Sequence, residues 1–130
     1  KENARLNNVF VEFEKSDLFE KVTEQFDVIV SNPPYIRSDE IPRLMPEVSV
    51  FEPHEALDGS PDGLEFYRRI VNDCRTYIKP GGWLLFEIGC DQGRQVSSMM
   101  EYAGFSDVRI VKDLARNDRV VLGRFTDKAD

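Results

Sequence analysis

The sequence predicts an α/β domain organised on a parallel sheet, and three observations carry that prediction. Val28, Ile29 and Val30 form a consecutive β-branched run rather than an alternating one, which suits a strand covered on both faces. Trp83 to Ile88 is a second apolar run of the same character. Apolar residues recur at helical spacing over Gly63 to Ile78 and again over Gln92 to Ala103. A chain of 130 residues holds a single core, and no repeat or low-complexity tract divides it.

Taken in order, Lys1 to Asn8 reads as the tail of a helix running out at Asn7-Asn8, so the chain is expected to open in mid-domain. Val9 to Phe13 alternates as a short strand. Ser16-Asp17-Leu18-Phe19 makes a turn, with Ser16 or Asp17 capping a brief helix through about Thr23. The central strand then runs to Val30 and must end by Pro33, which cannot extend a ladder. Ile36 to Gly63 is irregular and carries Pro42, Pro46, Pro53 and Pro61. Its hydrophobes, among them Leu44, Val48 and Leu57, favour an ordered lid over a linker.

Asp62 is the expected N-cap of the helix from Gly63, which aligns Leu64, Tyr67, Ile70, Val71, Cys74 and Ile78 and ends at Lys79-Pro80-Gly81. Trp83 to Ile88 follows as a core strand and runs into Gly89. The second helix turns Val96, Met99, Met100 and Ala103 inward, with the methionines as core filler and Gly104 as C-cap. Gly89 and Gly93 lack the G-x-G-x-x-G spacing of a phosphate loop and read as an ordinary connection. Val108 to Val111 and Arg119 to Phe125 are two further strands, and Thr126 to Asp130 is a polar tail.

Chemistry is expected at Asn32-Pro33-Pro34-Tyr35. Asn32 and Pro33 each precede a proline and are pushed toward extended backbone. The Asn32 amide and the loop carbonyls are thereby held at the carboxyl end of a strand, where open α/β sheets place ligands. Such a loop suits transfer of an electrophilic group to a planar NH2, a poor nucleophile because its lone pair is delocalised. The Asn32 side-chain oxygen and the Pro33 carbonyl would accept its two hydrogens and aim the lone pair. Both acceptors bind more strongly as positive charge develops on nitrogen. Pro34 would stiffen the loop, and the face of Tyr35 would flank the target or a sulfonium. A Pro-Pro turn closing a core strand is the competing, purely structural reading.

Asn32-Pro33-Pro34-Tyr35 resembles the signature loop of S-adenosylmethionine-dependent methyltransferases that modify planar NH2 groups, both adenine-N6 and protein glutamine-N5 enzymes. Phe51-Glu52-Pro53, Ala56-Leu57, Asp62-Gly63-Leu64 and the Asn117-Asp118-Arg119-Val120-Val121 and Gly123-Arg124-Phe125 ending are similar to the HemK/PrmC family. Its members are protein-(glutamine-N5) methyltransferases acting on peptide-chain release factors, and the likeness reaches from the first residues to Phe125. It implies a Rossmann-like sheet with helices on both sides and a final antiparallel strand. It also implies S-adenosyl-L-methionine as cofactor and cytoplasmic N5-methylation of the glutamine in a release factor's Gly-Gly-Gln motif.

In that resemblance Asn32, Pro33, Pro34 and Tyr35 are the catalytic set, and Asp17, Leu18 and Asn32 border the cofactor. Asp17 would reach the adenine amine, its competing role being the N-cap. Asn32, Pro33, Tyr35 and Glu52 would meet the substrate, Glu52 reading equally well as a solvated loop carboxylate. The alternative activity is an adenine-N6 or other nucleic-acid amino methyltransferase using the same loop on a flipped base. A folded interaction module without catalysis is a third reading.

The family also carries, upstream of the matched region, a glycine-rich cofactor loop, an acidic ribose-binding residue and a small helical substrate-recognition domain. None is found in this sequence. Residues 1–130 are therefore expected to form a partial catalytic domain truncated at its N-terminus, weak in cofactor binding and inactive alone. The strand at Val28–Val30 is expected to present an unpaired edge, so that the chain self-associates through it or leaves its first segment poorly ordered.

Composition narrows the partners. The hydrophobic fraction of 41% is that of an ordinary globular chain. No apolar stretch is long enough to cross a bilayer and no signal peptide opens the sequence, so no membrane partner is expected. The net charge of -7 argues against stable contact with a phosphate backbone. Cys74 and Cys90 have no metal-ligand spacing and read as buried thiols of a cytosolic protein, and the lone His54 is assigned to the surface.

Overall fold

The computed structural model describes residues 2–38 and 60–126. The elements are helix α1 (Glu2–Leu6), strand β1 (Phe26–Ser31), helix α2 (Glu65–Asp73) with a 3-10 turn at Cys74–Thr76, strand β2 (Ile78–Glu87), helix α3 (Gly93–Tyr102), and strands β3 (Phe105–Lys112) and β4 (Asp118–Phe125). They form a four-stranded sheet in the order β1-β2-β4-β3. β1 and β2 are parallel, joined by α2, and the final strand β4 runs antiparallel to both its neighbours. This is the expected α/β, Rossmann-like arrangement with a closing antiparallel strand.

The core lies between one face of the sheet and the helices α2 and α3, which touch each other. Leu84, Phe86 and Ile88 project into it from β2 and its end, Val121 from β4, Tyr67 and Ile70 from α2, Val96 and Met100 from α3. Each such side chain contributes roughly 1.5–3 kcal/mol by leaving water. The expectation of a strand covered on both faces is corrected here. Ile29 pairs with Leu84 on the helix side, whereas Val28 and Val30 pair with Trp83 and Leu85 on the other. Val28 and Val30 remain 53% and 73% exposed. The β-branched run follows strand preference, while burial alternates with the pleat. Among the described residues the outer edge of β1 has no strand partner.

Other expectations shift for local reasons. Val9 to Phe13 forms no strand, and Phe10 is 89% exposed, because alternation without a neighbouring strand has nothing to pair with. Ser16 to Thr23 forms turns instead of a helix: Glu20 donates to the Asp17 carbonyl at 3.1 Å and Val22 to that of Phe19 at 2.9 Å. Leu18 sits at φ 53°, a left-handed conformation no helix interior accepts. The helix expected to reach Ile78 ends earlier, since Ile78 already pairs with Phe26. The register then jumps from Phe26/Ile78 to Val28/Trp83, so Lys79-Pro80-Gly81 bulges out of β2 rather than stopping a helix.

Leu64, not Asp62, occupies the cap position of α2; Asp62 accepts from the Leu64 amide at 3.0 Å and pairs with Arg68. Cys74 is buried as expected, but Cys90 is exposed. Residues 39–59 of the expected lid, Glu52 and His54 among them, lie outside the described residues.

Candidate active site

β1 delivers its loop at the carboxyl end of the sheet. Ser31 is half-buried, Asn32 is exposed, Pro33 is buried, and Pro34 and Tyr35 are half-buried. The loop therefore turns one side to the interior and leaves the Asn32 amide facing outward. Both proline bonds are trans, and Tyr35 packs against the core cluster.

A buried amide ties this loop to the rest of the domain. Gln92, 7% exposed, precedes α3 and donates from Nε2 to the Tyr35 carbonyl at 3.0 Å and to the Gly63 carbonyl at 3.1 Å. Its Oε1 accepts from the Gly89 amide at 2.9 Å. Two glycines make room for the arrangement. A Cβ on Gly63, which sits at φ +75°, would lie 2.5 Å from the Tyr35 carbonyl oxygen. A Cβ on Gly89 would lie 3.0 Å from Cδ2 of the Tyr35 ring.

Beside the loop opens a cleft of about 460 Å³ whose lining includes Tyr35, Arg37, Asp62, Gly89, Gln92 and Arg119. Arg119 donates from Nε to Asp113 Oδ2 and from a terminal nitrogen to the Ile88 carbonyl, both at 3.3 Å. The hydrogen bond to Asp113 holds the guanidinium firmly in its charged form. Asp113 lies below the usual carboxylate range, first through the Asn117 amide on Oδ1 at 3.0 Å, then through Arg119. At the end of β2 the Tyr67 hydroxyl donates to the Glu87 carbonyl at 2.8 Å. Burial, reinforced by Tyr35 and Glu87, drives its pKa far up, so it stays a proton donor.

Asn32, Pro33, Pro34 and Tyr35 thus stand together at one strand end. Asp17 and Leu18 stand elsewhere, in the turns before β1 and against α2. Asp17 Oδ1 accepts from Arg69 at 2.9 Å, and Leu18 packs on the core. They border a separate hollow of about 400 Å³ with Arg69 and Tyr77, and neither lines the cleft beside Tyr35. Among the described residues no group of His, Cys, Asp or Glu could hold a metal ion. Gln92 and Arg119 were not foreseen as site residues. A signal for Gln92 exists in the sequence: it lies in phase with Val96 and Met100 on the inward stripe of the helix, where a lone amide needs partners.

The profile of the Eco57I restriction-modification methylase family matches residues 1–59, a span that contains the Asn32–Tyr35 loop. Longer likenesses come from individual relatives. The release factor glutamine methyltransferase of Clostridium acetobutylicum is 51% identical over 115 residues, covering 86% of this chain and 40% of the relative. The protein of the same name from Fusobacterium nucleatum is 45% identical and covers 99% of this chain and 37% of the relative.

Along nearly its whole length the chain is similar to release factor glutamine methyltransferases.

It spans about two fifths of the length of these curated relatives. A solved structure, the release factor-specific protein-(glutamine-N5) methyltransferase of Alicyclobacillus acidocaldarius, is 29% identical with a TM-score of 0.50, covering 78% of this chain and 50% of that one. A methyltransferase from Pyrococcus furiosus superposes with a TM-score of 0.66 at 19% identity, covering 96% of this chain and 55% of that one, and supports the fold alone. The likeness to methyltransferases implies a methyl donor. Among the described residues no helix is long and apolar enough to cross a membrane.

Proposed function

We propose that the full-length protein transfers a methyl group from S-adenosyl-L-methionine to the side-chain nitrogen of the glutamine in a release factor's Gly-Gly-Gln motif, in the cytoplasm. One observation carries the reading: the Asn32–Tyr35 loop is pinned at the end of β1 with its amide facing out, in a chain 45–51% identical to proteins named for this activity.

The residues present fit such a reaction. When bound, S-adenosylmethionine supplies a methyl carbon on a sulfonium whose departure leaves a neutral thioether. The Asn32 side-chain oxygen and the Pro33 carbonyl accept the two hydrogens of the substrate NH2, which orients its lone pair and excludes misaligned approaches. The nitrogen sheds one proton to water once the new N–C bond has formed, and until then both acceptors hold its developing charge. Pro34 limits the loop's freedom, and Tyr35 walls the cleft with its ring on Gly89. Asp17 and Leu18 are assigned to the adenine edge, with Asp17 Oδ1 on Arg69 and the rest of its exposed carboxylate turned to solvent. Glu52 is assigned to substrate binding.

An adenine-N6 activity has less support. The Eco57I likeness is confined to residues 1–59, which hold the loop that amide and base methyltransferases share. The net charge of -7 also disfavours a DNA track. The test is methyl transfer from labelled S-adenosylmethionine by the full-length protein, offered a release factor, its Gln-to-Ala variant and duplex DNA in parallel. Label on the intact release factor alone supports the reading; label on DNA alone replaces it with the base-directed one.

A further inference from the structure

We infer that Gln92 is a positioning residue for methyl transfer, its side-chain amide fixing where the Asn32–Tyr35 loop stands at the end of β1, beside the cleft that Tyr35 lines; the inference rests on the reading given above. Two prolines restrict how the loop bends, but they do not decide where it stands relative to the next strand. That placement needs a tie from outside the loop. Ser38 donates to the Ser60 carbonyl at 3.3 Å, which secures the far end. At the loop itself the tie is Gln92, whose two donors and one acceptor join the residue that closes the loop, the turn before α2 and the end of β2.

The chemistry of the site admits few alternatives. Two carbonyl oxygens and one amide N–H converge on one buried point, and only a primary amide offers two donors and an acceptor in one plane. Glutamate would set a carboxylate against the carbonyls of Tyr35 and Gly63. Methionine would fill the same space and make none of the bonds. The bare backbones of Gly63 and Gly89 belong to the same construction, because they let the Tyr35 carbonyl and ring come within contact. Between Tyr35 and Asn32 lie only Pro33 and Pro34, each with its φ locked, so a displacement at the Tyr35 carbonyl is passed to the Asn32 and Pro33 acceptors rather than absorbed. Misplacing acceptors by about 1 Å is enough to cost roughly 100-fold in rate.

The experiment compares the full-length protein with its Gln92→Glu and Gln92→Met variants, each checked for folding by circular dichroism. Methyl transfer to a release factor is measured alongside amide hydrogen exchange. The expected result is a fall in kcat of about 10- to 100-fold with the KM for the methyl donor held within about twofold. Exchange should accelerate at Tyr35 to Ser38 in both variants, and at Gly89 in the methionine variant. A folded variant that keeps its kcat, loses activity only through the donor's KM, or exchanges at Tyr35 to Ser38 like the parent overturns the inference. Should the parent itself fail to methylate a release factor, the functional reading falls, while exchange at Tyr35 to Ser38 still decides whether Gln92 holds the loop.

Discussion

Tyr67 of α2 stands edge-on to Phe86 of β2, ring centroids 5.1 Å apart at 84°, and the same ring donates its hydroxyl to the carbonyl of Glu87 next in the strand. One residue thus sets both the depth and the rotation of α2 on the sheet. Tyr67→Phe keeps the ring and orphans a strand-end carbonyl, with an expected loss of about 1–3 kcal/mol. Tyr67→Ala opens a cavity and should cost about 3–5 kcal/mol. Denaturant unfolding of the two variants measures both; a Tyr67→Phe protein as stable as the parent would mean that the hydroxyl contributes nothing.

Asn32 makes a sharper prediction about chemistry. Its side chain is exposed and holds no place in the core, so Asn32→Ala should leave stability within about 0.5 kcal/mol while methyl transfer falls by two orders of magnitude or more, roughly. Thermal unfolding and labelled-methyl incorporation, run on the same preparation, separate the two effects. Parallel losses in both would assign Asn32 to structure instead.

The two cysteines should differ in reactivity. Burial pushes the Cys74 thiol up to about 12, and its Sγ lies 3.6 Å from the Val71 carbonyl, whereas Cys90 is exposed at the rim of the cleft. The thiolate is the reactive form, so a thiol reagent at pH 8 should label Cys90 and spare Cys74 until the protein unfolds. Peptide mapping of the labelled protein checks this. Because the folded-state pKa of Cys74 is raised, its protonated form favours the fold below about pH 8.5, and that contribution declines as pH rises toward 12. Stability of the parent should therefore fall more steeply at alkaline pH than that of Cys74→Ala.

Asp113 carries the opposite sign. Its folded-state pKa is lowered, so the ionised form favours the folded state above the ordinary carboxylate range, and the benefit is lost as pH falls through the lowered value. Asp113→Asn should flatten the acid limb of the stability profile, an effect that salt reduces because the half-buried pair still meets solvent. An unchanged acid limb in this variant would dismiss the Asp113–Arg119 pair as a contributor.

The outer edge of β1, with Val28 and Val30 exposed beside it, predicts association of this chain when expressed alone. Val30→Lys should shift the population toward monomer in sedimentation experiments. A parent chain that is monomeric at high concentration would remove this expectation.

The parts of the molecule most legible in the sequence were those decided by local chemistry. The strand that ends at two prolines, the α3 stripe of Val96 and Met100, and the closing strand through Val121 all stand where their residue patterns place them. What escaped depends on partners distant in sequence. Val9 to Phe13 alternates like a strand but lacks a neighbour among the described residues, and the Lys79-Pro80-Gly81 stop signal was spent on a bulge. At the site, the loop was legible because proline restricts its own backbone. The tie through Gln92 was not, because its meaning comes from Tyr35, 57 positions away, and from two glycines whose missing side chains leave space for that ring.

The measurement closest to the central claim is mass mapping of a release factor after incubation with the full-length protein and S-adenosylmethionine, run beside the Asn32→Ala variant. The account predicts a single added methyl on the glutamine of the Gly-Gly-Gln motif with the parent and none with the variant. A methyl on any other residue, or an equal yield from the Asn32→Ala protein, would contradict the role given to the Asn32–Tyr35 loop.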